Sequence, residues 1–373
     1  MSASQAAPYP AELEKRNSAT RSPLIDVAKG LGILLIVLGH NTVFGDHYES
    51  FANTLMAFRL PFFFFISGVT LSLRHSSIRT VMVERADAWL KPCVVVIIAL
   101  GVLKIARHSA DLESLLVGLS FGTGFTLAWT PLWFLPHLWL IYVVASALLL
   151  RGGGWLTSPL SKTLLLIFCC IGGYQMLQVF DSSYDNQRCV KQLQFSSHLF
   201  ECGLPFSADL LLVTLFYVLC GHFLAAHVKA FRPRPILTLL ALAGLVALRG
   251  LFPYKLDLNS RLYEHLLLTP LTAMLGIYVL LSLCDYLGQS DYLSRAFKYF
   301  GRTSLFILIF HAPLQYTLLR ELAPRLNSEY VTGTIAYICA VTLSVGIYHI
   351  CRSNRYLSAL MFPRQRPATS AQA

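Results

Sequence analysis

The first apolar segment of the chain carries two basic side chains on one predicted helix face. Lys29 and His40 lie eleven residues apart, so a helix turns about 1100° between them and leaves them about 20° from one stripe, about 16 Å apart along the axis. Asp26 precedes Lys29 by three residues, within reach of an ion pair. Ionisable groups in such segments are costly and usually functional. A neutral imidazole near pH 7 is suited to proton transfer.

Three further apolar segments carry isolated polar groups. Arg59 stands ahead of a proline and four phenylalanines, at about the depth of His40. His311 falls near the middle of a late segment, and Arg249 lies near the end of another. Each has a structural alternative, because a long basic side chain can reach the interface with its head group in water. The sequence contains no nucleophile elbow and no Gly-rich phosphate loop beside them.

Composition places these residues in a membrane. Of the 373 residues, 55% are hydrophobic and 13% are charged, about half the charge of a soluble domain. The mean hydropathy is +0.58. A disordered chain, a collagen-like fibre and a small disulfide scaffold are excluded, and no two-residue period suggests barrel strands. We expect an all-α polytopic membrane protein with about ten transmembrane helices.

A bilayer-crossing helix needs roughly 20 mostly apolar residues, and ten segments meet this need. A weaker stretch, Leu112–Phe125, predicts an interfacial or re-entrant piece. The predicted domains are a cytoplasmic tail over 1–23, a transmembrane domain over 24–351 and a basic cytoplasmic tail over 352–373. The ten segments are Leu24–Val43, Leu55–Arg74, Ala88–Arg107, Pro131–Leu150, Leu160–Gln178, Ser207–His227, Arg234–Phe252, Glu264–Asp285, Thr303–Arg320 and Tyr330–Cys351.

The distribution of charge predicts that both termini are cytoplasmic. The first 20 residues are polar and contain no apolar signal core. Alternate loops are rich in Lys and Arg, the composition typical of the cytoplasmic side, and the opposite loops hold most of the Asp and Glu. A miscount by one helix would break this alternation. The net charge of +11 therefore sets orientation and does not suggest nucleic acid binding.

The cysteines give little indication of a metal or redox site. Nine are present, and most lie inside predicted spans, where cysteine usually acts as a small apolar residue. Cys189 and Cys202 share the longest outer loop, where a disulfide and two free thiols are both compatible with the sequence. No spacing typical of a zinc site occurs. We expect no metal and no permanently bound cofactor.

Four elements of the chain resemble the membrane-bound acyltransferase-3 family. Within that family the chain looks like the group of fucose 4-O-acetylase-like and exopolysaccharide acetyltransferases. Many relatives have His-Met where this chain has Arg59-Leu60, so Arg59 would be an electrostatic substitute. In chain order the elements are Lys29-x10-His40, Pro61–Gly68, Trp133-Phe-Leu-Pro136 and Gly301-Arg-Thr-Ser-Leu followed by His311.

The resemblance implies transfer of an acyl group from cytoplasmic acyl-CoA, with acetyl-CoA as the expected co-substrate, to a sugar hydroxyl. The acceptor would be a glycan or lipid-linked saccharide of the envelope machinery at a bacterial inner membrane. His40 would be the general base or carry a transient acyl group, and Arg59 or His311 would stabilise the oxyanion. The candidate donor-binding residues are Lys29, Asp26, Arg74 and Arg302. The candidate acceptor-binding residues are Trp133, Arg249, Tyr254, Asn259 and Arg261.

Two other functions fit the same buried charges. A proton-coupled secondary transporter would use buried His, Lys, Arg and Asp in a ten-helix bundle, and a glycan flippase would be a non-catalytic partner in envelope assembly. A transporter is expected to show repeated halves. The segments 24–180 and 207–351 show no convincing repeat.

Overall fold

A computed structural model of the protein describes residues 22–73, 77–181, 200, 203–254 and 256–364. This part of the chain is almost entirely helical, apart from a short antiparallel pair in which Leu256 faces Tyr263. An all-α membrane fold is therefore confirmed. The elements are α1 Pro23–Leu38, α2 Thr42–His47, α3 Glu49–Val69, α4 Ile78–Arg85, α5 Lys91–Ala106, α6 Leu112–Phe121, α7 Phe134–Arg151, α8 Pro159–Asp181, α9 Leu211–Phe223, α10 Ala225–Lys229, α11 Pro235–Leu251, β1 Leu256–Asp257, β2 Leu262–Tyr263, α12 Leu268–Gln289, α13 Asp291–Leu322, α14 Glu329–Ser353 and α15 Arg355–Met361.

Each of the ten predicted segments contains a helix. Seven helical stretches of the described chain are long and apolar enough to cross a membrane by length and composition. Of the other three predicted spans, α1 and α11 have only 16 and 17 residues, and α13 carries several charged residues in its first turns. Ten crossings remain a prediction. The seven stretches are Glu49–Val69, Ile78–Ala106, Thr130–Arg151, Pro159–Phe180, Pro205–Phe223, Leu268–Gln289 and Glu329–Ser353.

The third predicted span contains a change of helical winding. Helix α4 passes into a π-helical turn over Ala86–Leu90, and α5 continues from it. Within this turn Lys91 forms an ion pair with Asp87 at 2.8 Å. Such π-turns recur at functional sites, where the wider winding redirects side chains. Here Arg85 directly precedes the turn and Trp89 lies within it.

The stretch predicted as interfacial or re-entrant forms the ten-residue helix α6. Its N-terminus is capped by Asp111, whose carboxylate accepts from the Ser114 backbone N–H at 2.8 Å. Hydrogen bonds from the hydroxyl and the backbone amide of Ser114 lower the pKa of Asp111. The helix ends at Gly122, whose φ of +58° favours glycine. An irregular segment then leads to a 3₁₀ turn at Thr130–Trp133.

Helices α1 and α13 run parallel and pack so closely that their backbones are in contact. A Cβ on Gly30 would lie 2.0 Å from the carbonyl oxygen of Phe297, and one on Gly301 would lie 2.8 Å from a backbone oxygen of α1. Close approach of this kind requires small residues at the contact. Ten residues further along each helix, the rings of His40 and His311 meet. The two helices therefore run in the same direction in a fixed register.

Helices α3 and α14 complete the bundle around α1. The side of α3 bearing Phe62 packs against Gly32, and Arg59 lies against Gly39, so α3 runs antiparallel to α1. On α14, the hydroxyl of Tyr337 donates to the carbonyl oxygen of Leu34 at 3.3 Å. These contacts place the His40 end of α1 among three other helices.

Part of the predicted C-terminal tail is a packed element. After α15, the Lys91 ammonium donates to the carbonyl oxygen of Phe362 at 2.5 Å, and the Arg364 backbone N–H donates to Asp87 at 2.6 Å. Met361 is buried. The segment predicted as a basic cytoplasmic tail therefore packs against α5 and the π-helical turn up to residue 364; its cytoplasmic location stays a prediction. Residues 365–373 lie outside the described chain, as do Arg74, Cys189 and Cys202.

Candidate active site

Three of the predicted catalytic residues meet at one place. The ring centroids of His40 and His311 lie 5.1 Å apart at an interplanar angle of 58°. The guanidinium of Arg59 occupies the space beside Gly39, where an added Cβ would fall 0.9 Å from Nη1. Gly39 thus leaves room for a cation directly beside His40. His40 follows the end of α1 by two residues, Arg59 lies on α3 and His311 lies on α13, so residues far apart in sequence form this cluster.

Hydrogen bonds determine the tautomer of neutral His311. Its Nδ1 lies 2.7 Å from the carbonyl oxygen of Ile307 and 3.0 Å from that of Leu308. Carbonyl oxygens only accept, so Nδ1 carries the hydrogen. The Nε2 atom then presents a lone pair, and it is buried without a partner among the described residues. Neutral His311 is therefore a proton acceptor at this atom, which does not fit the predicted role as an oxyanion donor.

The cluster is partly open. His311 is fully buried, whereas His40 and Arg59 retain partial exposure, so a ligand can reach them. Asp257 and Tyr316 lie close enough to Arg59 to interact with its charge. Asp257 belongs to the β1–β2 hairpin. The hairpin therefore borders the cluster and balances part of its positive charge.

A cavity of about 450 Å³ is enclosed mainly by α3, α7 and α13, with one end of α1 contributing to its wall. We call it the donor cavity because its wall contains Lys29, one of the predicted donor-binding residues. Lys29, Arg85 and Gly301 line it, and Phe62 and Leu308 also contribute to its wall. Two basic side chains in an otherwise mostly apolar wall suit a ligand with an anionic head and an apolar arm.

On both α3 and α13, the residues that line the donor cavity lie close in sequence to the residues of the His40 cluster. Phe62 follows Arg59 by three residues on α3, and Leu308 precedes His311 by three residues on α13. Three residues are slightly less than one helical turn, about 5 Å along the axis. The cavity wall and the His40 cluster are therefore about one helical turn apart on α3 and on α13.

Sequence reasoning missed one part of the donor cavity. The Arg85 guanidinium carbon lies 5.3 Å from the ring centroids of both Trp89 and Tyr142, a cation–π geometry. The hydroxyl of Tyr142 donates to the carbonyl oxygen of Ser67 at 2.8 Å. Arg85 is one of several basic residues in a predicted cytoplasmic loop, and its separation from Trp89 by four residues was the available signal.

The predicted donor-binding residues have different placements. Lys29 lines the donor cavity, and Asp26 contributes the backbone oxygen against which Gly301 packs. Arg302 follows Gly301 and is exposed. Arg74 lies outside the described residues. Lys29 is thus the predicted donor residue that the structure brings to the cavity wall.

Three predicted acceptor-binding residues support the hairpin instead. Arg261 is fully buried and forms an ion pair with Asp209, Nε to Oδ2, at 2.9 Å. The hydroxyl of Tyr254 donates to the carbonyl oxygen of Leu268 at 3.0 Å, and the Arg249 guanidinium donates to the carbonyl oxygen of Tyr254 at 2.6 Å. These contacts engage most of their polar groups within the protein, whereas the buried Nε of Arg249 has no partner among the described residues. The three residues thus support the hairpin, and a role in acceptor binding stays a prediction.

The remaining two predicted acceptor residues lie elsewhere. Trp133 is buried with its ring 5.5 Å from that of His137, and both His137 nitrogens are bonded, to Phe206 and Thr214. Asn259 lines a second cavity, of about 370 Å³, beside α5 and α6. Its buried Oδ1 has no partner in the described part of the chain. The structure does not bring either residue to the His40 cluster.

The membrane fold is helical. Its candidate site combines an imidazole pair, an arginine and a cavity with two basic side chains in its wall. Residues 23–349 match the family model for the acyltransferase domain. The protein is therefore a membrane acyltransferase, of the class that transfers an acyl group to a hydroxyl. Because the match covers most of its length, the chain belongs to the acyltransferase-3 family. No curated protein and no solved structure matches it.

Proposed function

We propose that this protein transfers an acetyl group from cytoplasmic acetyl-CoA to a sugar hydroxyl of an envelope or exported polysaccharide in a bacterial inner membrane. The sequence elements similar to fucose 4-O-acetylase-like and exopolysaccharide acetyltransferases support the choice of donor and acceptor. The main support for the proposal is the cluster of His40, His311 and Arg59, which lies one helical turn from the end of the donor cavity.

The proposed donor site begins at Lys29 and Arg85, whose charges suit the phosphates of CoA. The pantetheine arm would follow α1 and α13 through the donor cavity past Phe62 and Leu308. Lys29 and His40 are about 16 Å apart along the axis, about the length of that arm. The thioester carbonyl would then lie beside the imidazoles.

The proposed chemistry is a direct transfer. The acceptor oxygen gives its proton to the His40 imidazole as it bonds to the thioester carbonyl carbon. The C–S bond breaks, and the CoA sulfur leaves with the proton from the imidazolium. Arg59 stabilises the charge on the carbonyl oxygen. The lone pair of His311 Nε2 accepts a hydrogen bond from His40 or from the acceptor.

The proposed orientation has ten crossings and cytoplasmic termini. Helices α1 and α13 run parallel and α3 and α14 run antiparallel to them, as alternation of the first, second, ninth and tenth predicted segments requires. Cysteine introduced at Gly45, which has open space beside it, should react from the periplasm with a membrane-impermeant maleimide. Labelling only after the membrane is permeabilised would contradict this orientation.

The direct test uses purified protein in lipid nanodiscs with radiolabelled acetyl-CoA and a panel of aryl glycosides, each bearing one sugar. We expect label to appear in an ester of at least one glycoside. His40→Ala should abolish transfer, because the acceptor loses its base. His227→Ala is the matched control, since His227 is an exposed imidazole on α10, and it should keep wild-type transfer.

Alternative functions predict different outcomes. A proton-coupled transporter or a glycan flippase would move a glycan across a proteoliposome membrane without forming a labelled ester. Transfer by His40→Ala at the wild-type rate would refute the role of that imidazole. Absence of label in every glycoside and in released acetate would refute acetyl transfer from acetyl-CoA.

A further inference from the structure

The interior beside the imidazole pair contains a glutamine that packing does not explain. Gln315 is fully buried on α13. Neither its Nε2 nor its Oε1 has a hydrogen-bond partner among the described residues. Burying an amide without partners costs about 1–3 kcal/mol on protein scales. Such a cost points to a partner that arrives with the substrate.

The position of Gln315 on α13 places its side chain on the helix face that bears His311. It follows His311 by four residues, so both side chains share one helix face with Cβ atoms about 5–6 Å apart. Side chains on a helix lean toward its N-terminus, which is the direction of His311. The unpartnered Nε2 of His311 and the two unpartnered amide atoms of Gln315 thus lie on adjacent turns facing one interior region.

The direction of α13 separates Gln315 from the donor. The helix runs from Gly301, at the Lys29 end of the donor cavity, past Leu308 to His311. Gln315 lies about 6 Å further along the same axis, on the side of the imidazoles opposite the donor cavity. A group that approaches from this side is the acceptor.

We propose that Gln315 binds the acceptor, with its amide donating a hydrogen bond to one hydroxyl and accepting a hydrogen bond from a neighbouring hydroxyl of a polyol. A carboxamide offers both functions in one plane, and adjacent sugar hydroxyls each donate and accept. Beside the amide, Nε2 of His311 accepts a hydrogen bond from the next hydroxyl of the polyol. This proposal rests on the proposed function and adds a residue that selects vicinal hydroxyls.

Gln315→Met tests the proposal because it keeps the length and the helix preference of the side chain and removes both polar atoms. With the best aryl glycoside of the panel, we expect kcat/KM for the acceptor to fall about tenfold to a hundredfold, corresponding to two lost hydrogen bonds. The KM for acetyl-CoA and the slow release of acetate without glycoside should stay at wild-type values. The unfolding temperature should be unchanged or raised, since an unsatisfied buried amide is removed.

Ser146→Ala is the matched control. The buried hydroxyl of Ser146 on α7 also lacks a partner in the described chain, so its removal should affect stability in the same sense and leave acceptor kinetics unchanged. A lowered unfolding temperature for Gln315→Met with unchanged acceptor kcat/KM would show that Gln315 only packs, and would overturn the proposal. If wild-type protein acetylates no glycoside and releases no acetate, the proposed function fails first, which separates the two failures.

Discussion

Replacing Gly39 by alanine displaces the Arg59 guanidinium without removing its charge. The new Cβ would lie 0.9 Å from Nη1, whereas ordinary contact needs 3.4 Å or more. The guanidinium must therefore retreat by about 2.5 Å, which exceeds the tolerance of a donor placed 2.7–3.1 Å from an oxyanion. We expect kcat to fall about 100- to 1,000-fold, the effect of losing one such donor.

The fold should tolerate this substitution. Gly39 has φ −73° and ψ −3°, a conformation that alanine adopts freely. The clash involves the far end of a flexible side chain rather than backbone. The free energy of unfolding should therefore change by less than about 1 kcal/mol. Gly45→Ala serves as the control, because nothing lies within 4 Å of its added Cβ.

The assay is single-turnover transfer from radiolabelled acetyl-CoA in nanodiscs, with thermal unfolding followed on the same samples. Arg59→Ala and the double variant Gly39→Ala/Arg59→Ala complete a cycle. If Gly39→Ala acts through Arg59, the double variant should be no slower than Arg59→Ala alone, because coupled residues are not additive. A kcat within about twofold of wild type for Gly39→Ala would refute the placement of Arg59 at the reacting carbonyl.

Three further substitutions test the elements that position the site. Gly30→Ala places a Cβ 2.0 Å from a backbone oxygen of α13, so the contact between α1 and α13 must open. We expect a lower unfolding temperature, and an unchanged unfolding temperature would contradict the tight packing. Lys29→Ala should raise the KM for acetyl-CoA about tenfold, about 1.4 kcal/mol of binding, with little effect on acceptor KM; equal effects on both would argue against its donor role. Arg261→Met leaves Asp209 buried without its partner and should lower the free energy of unfolding by about 3–5 kcal/mol, which would be seen as loss of monodisperse protein. Recovery of monodisperse protein in Arg261→Met/Asp209→Leu would identify the uncompensated charge as the cause.

The residues that meet in the His40 cluster were easier to single out from the sequence than the residues around them. Lys29 lies on α1, and His40 follows its last residue, Leu38, by two positions, so the 3.6-residue period alone places them near one stripe. The depth of His311 within an apolar segment marked it as costly to bury. The pairing of α1 with α13 was not predictable in the same way, because it depends on close contact at Gly30 and Gly301 between segments 271 residues apart.

The hairpin residues show why the acceptor side could not be predicted from the sequence. Arg261 and Tyr254 lie in a polar loop, where polar residues commonly bind ligands. Their engagement depends on Asp209 and Leu268, which belong to other elements. Arg85 was not predicted because a basic loop residue is the usual signal of orientation. Its place at the donor cavity depends on the rings of Trp89 and Tyr142, and Tyr142 belongs to another helix.

The shared register of α1 and α13 also limits how the length of this chain can vary. One residue inserted between Gly30 and Gly39 would turn His40 by about 100° and move it about 1.5 Å, away from His311. The same insertion in α13 would have the same effect unless both helices changed together. Length variation among natural variants should therefore concentrate in the connecting segments, and the ten- and eleven-residue intervals that end at the two imidazoles should stay constant.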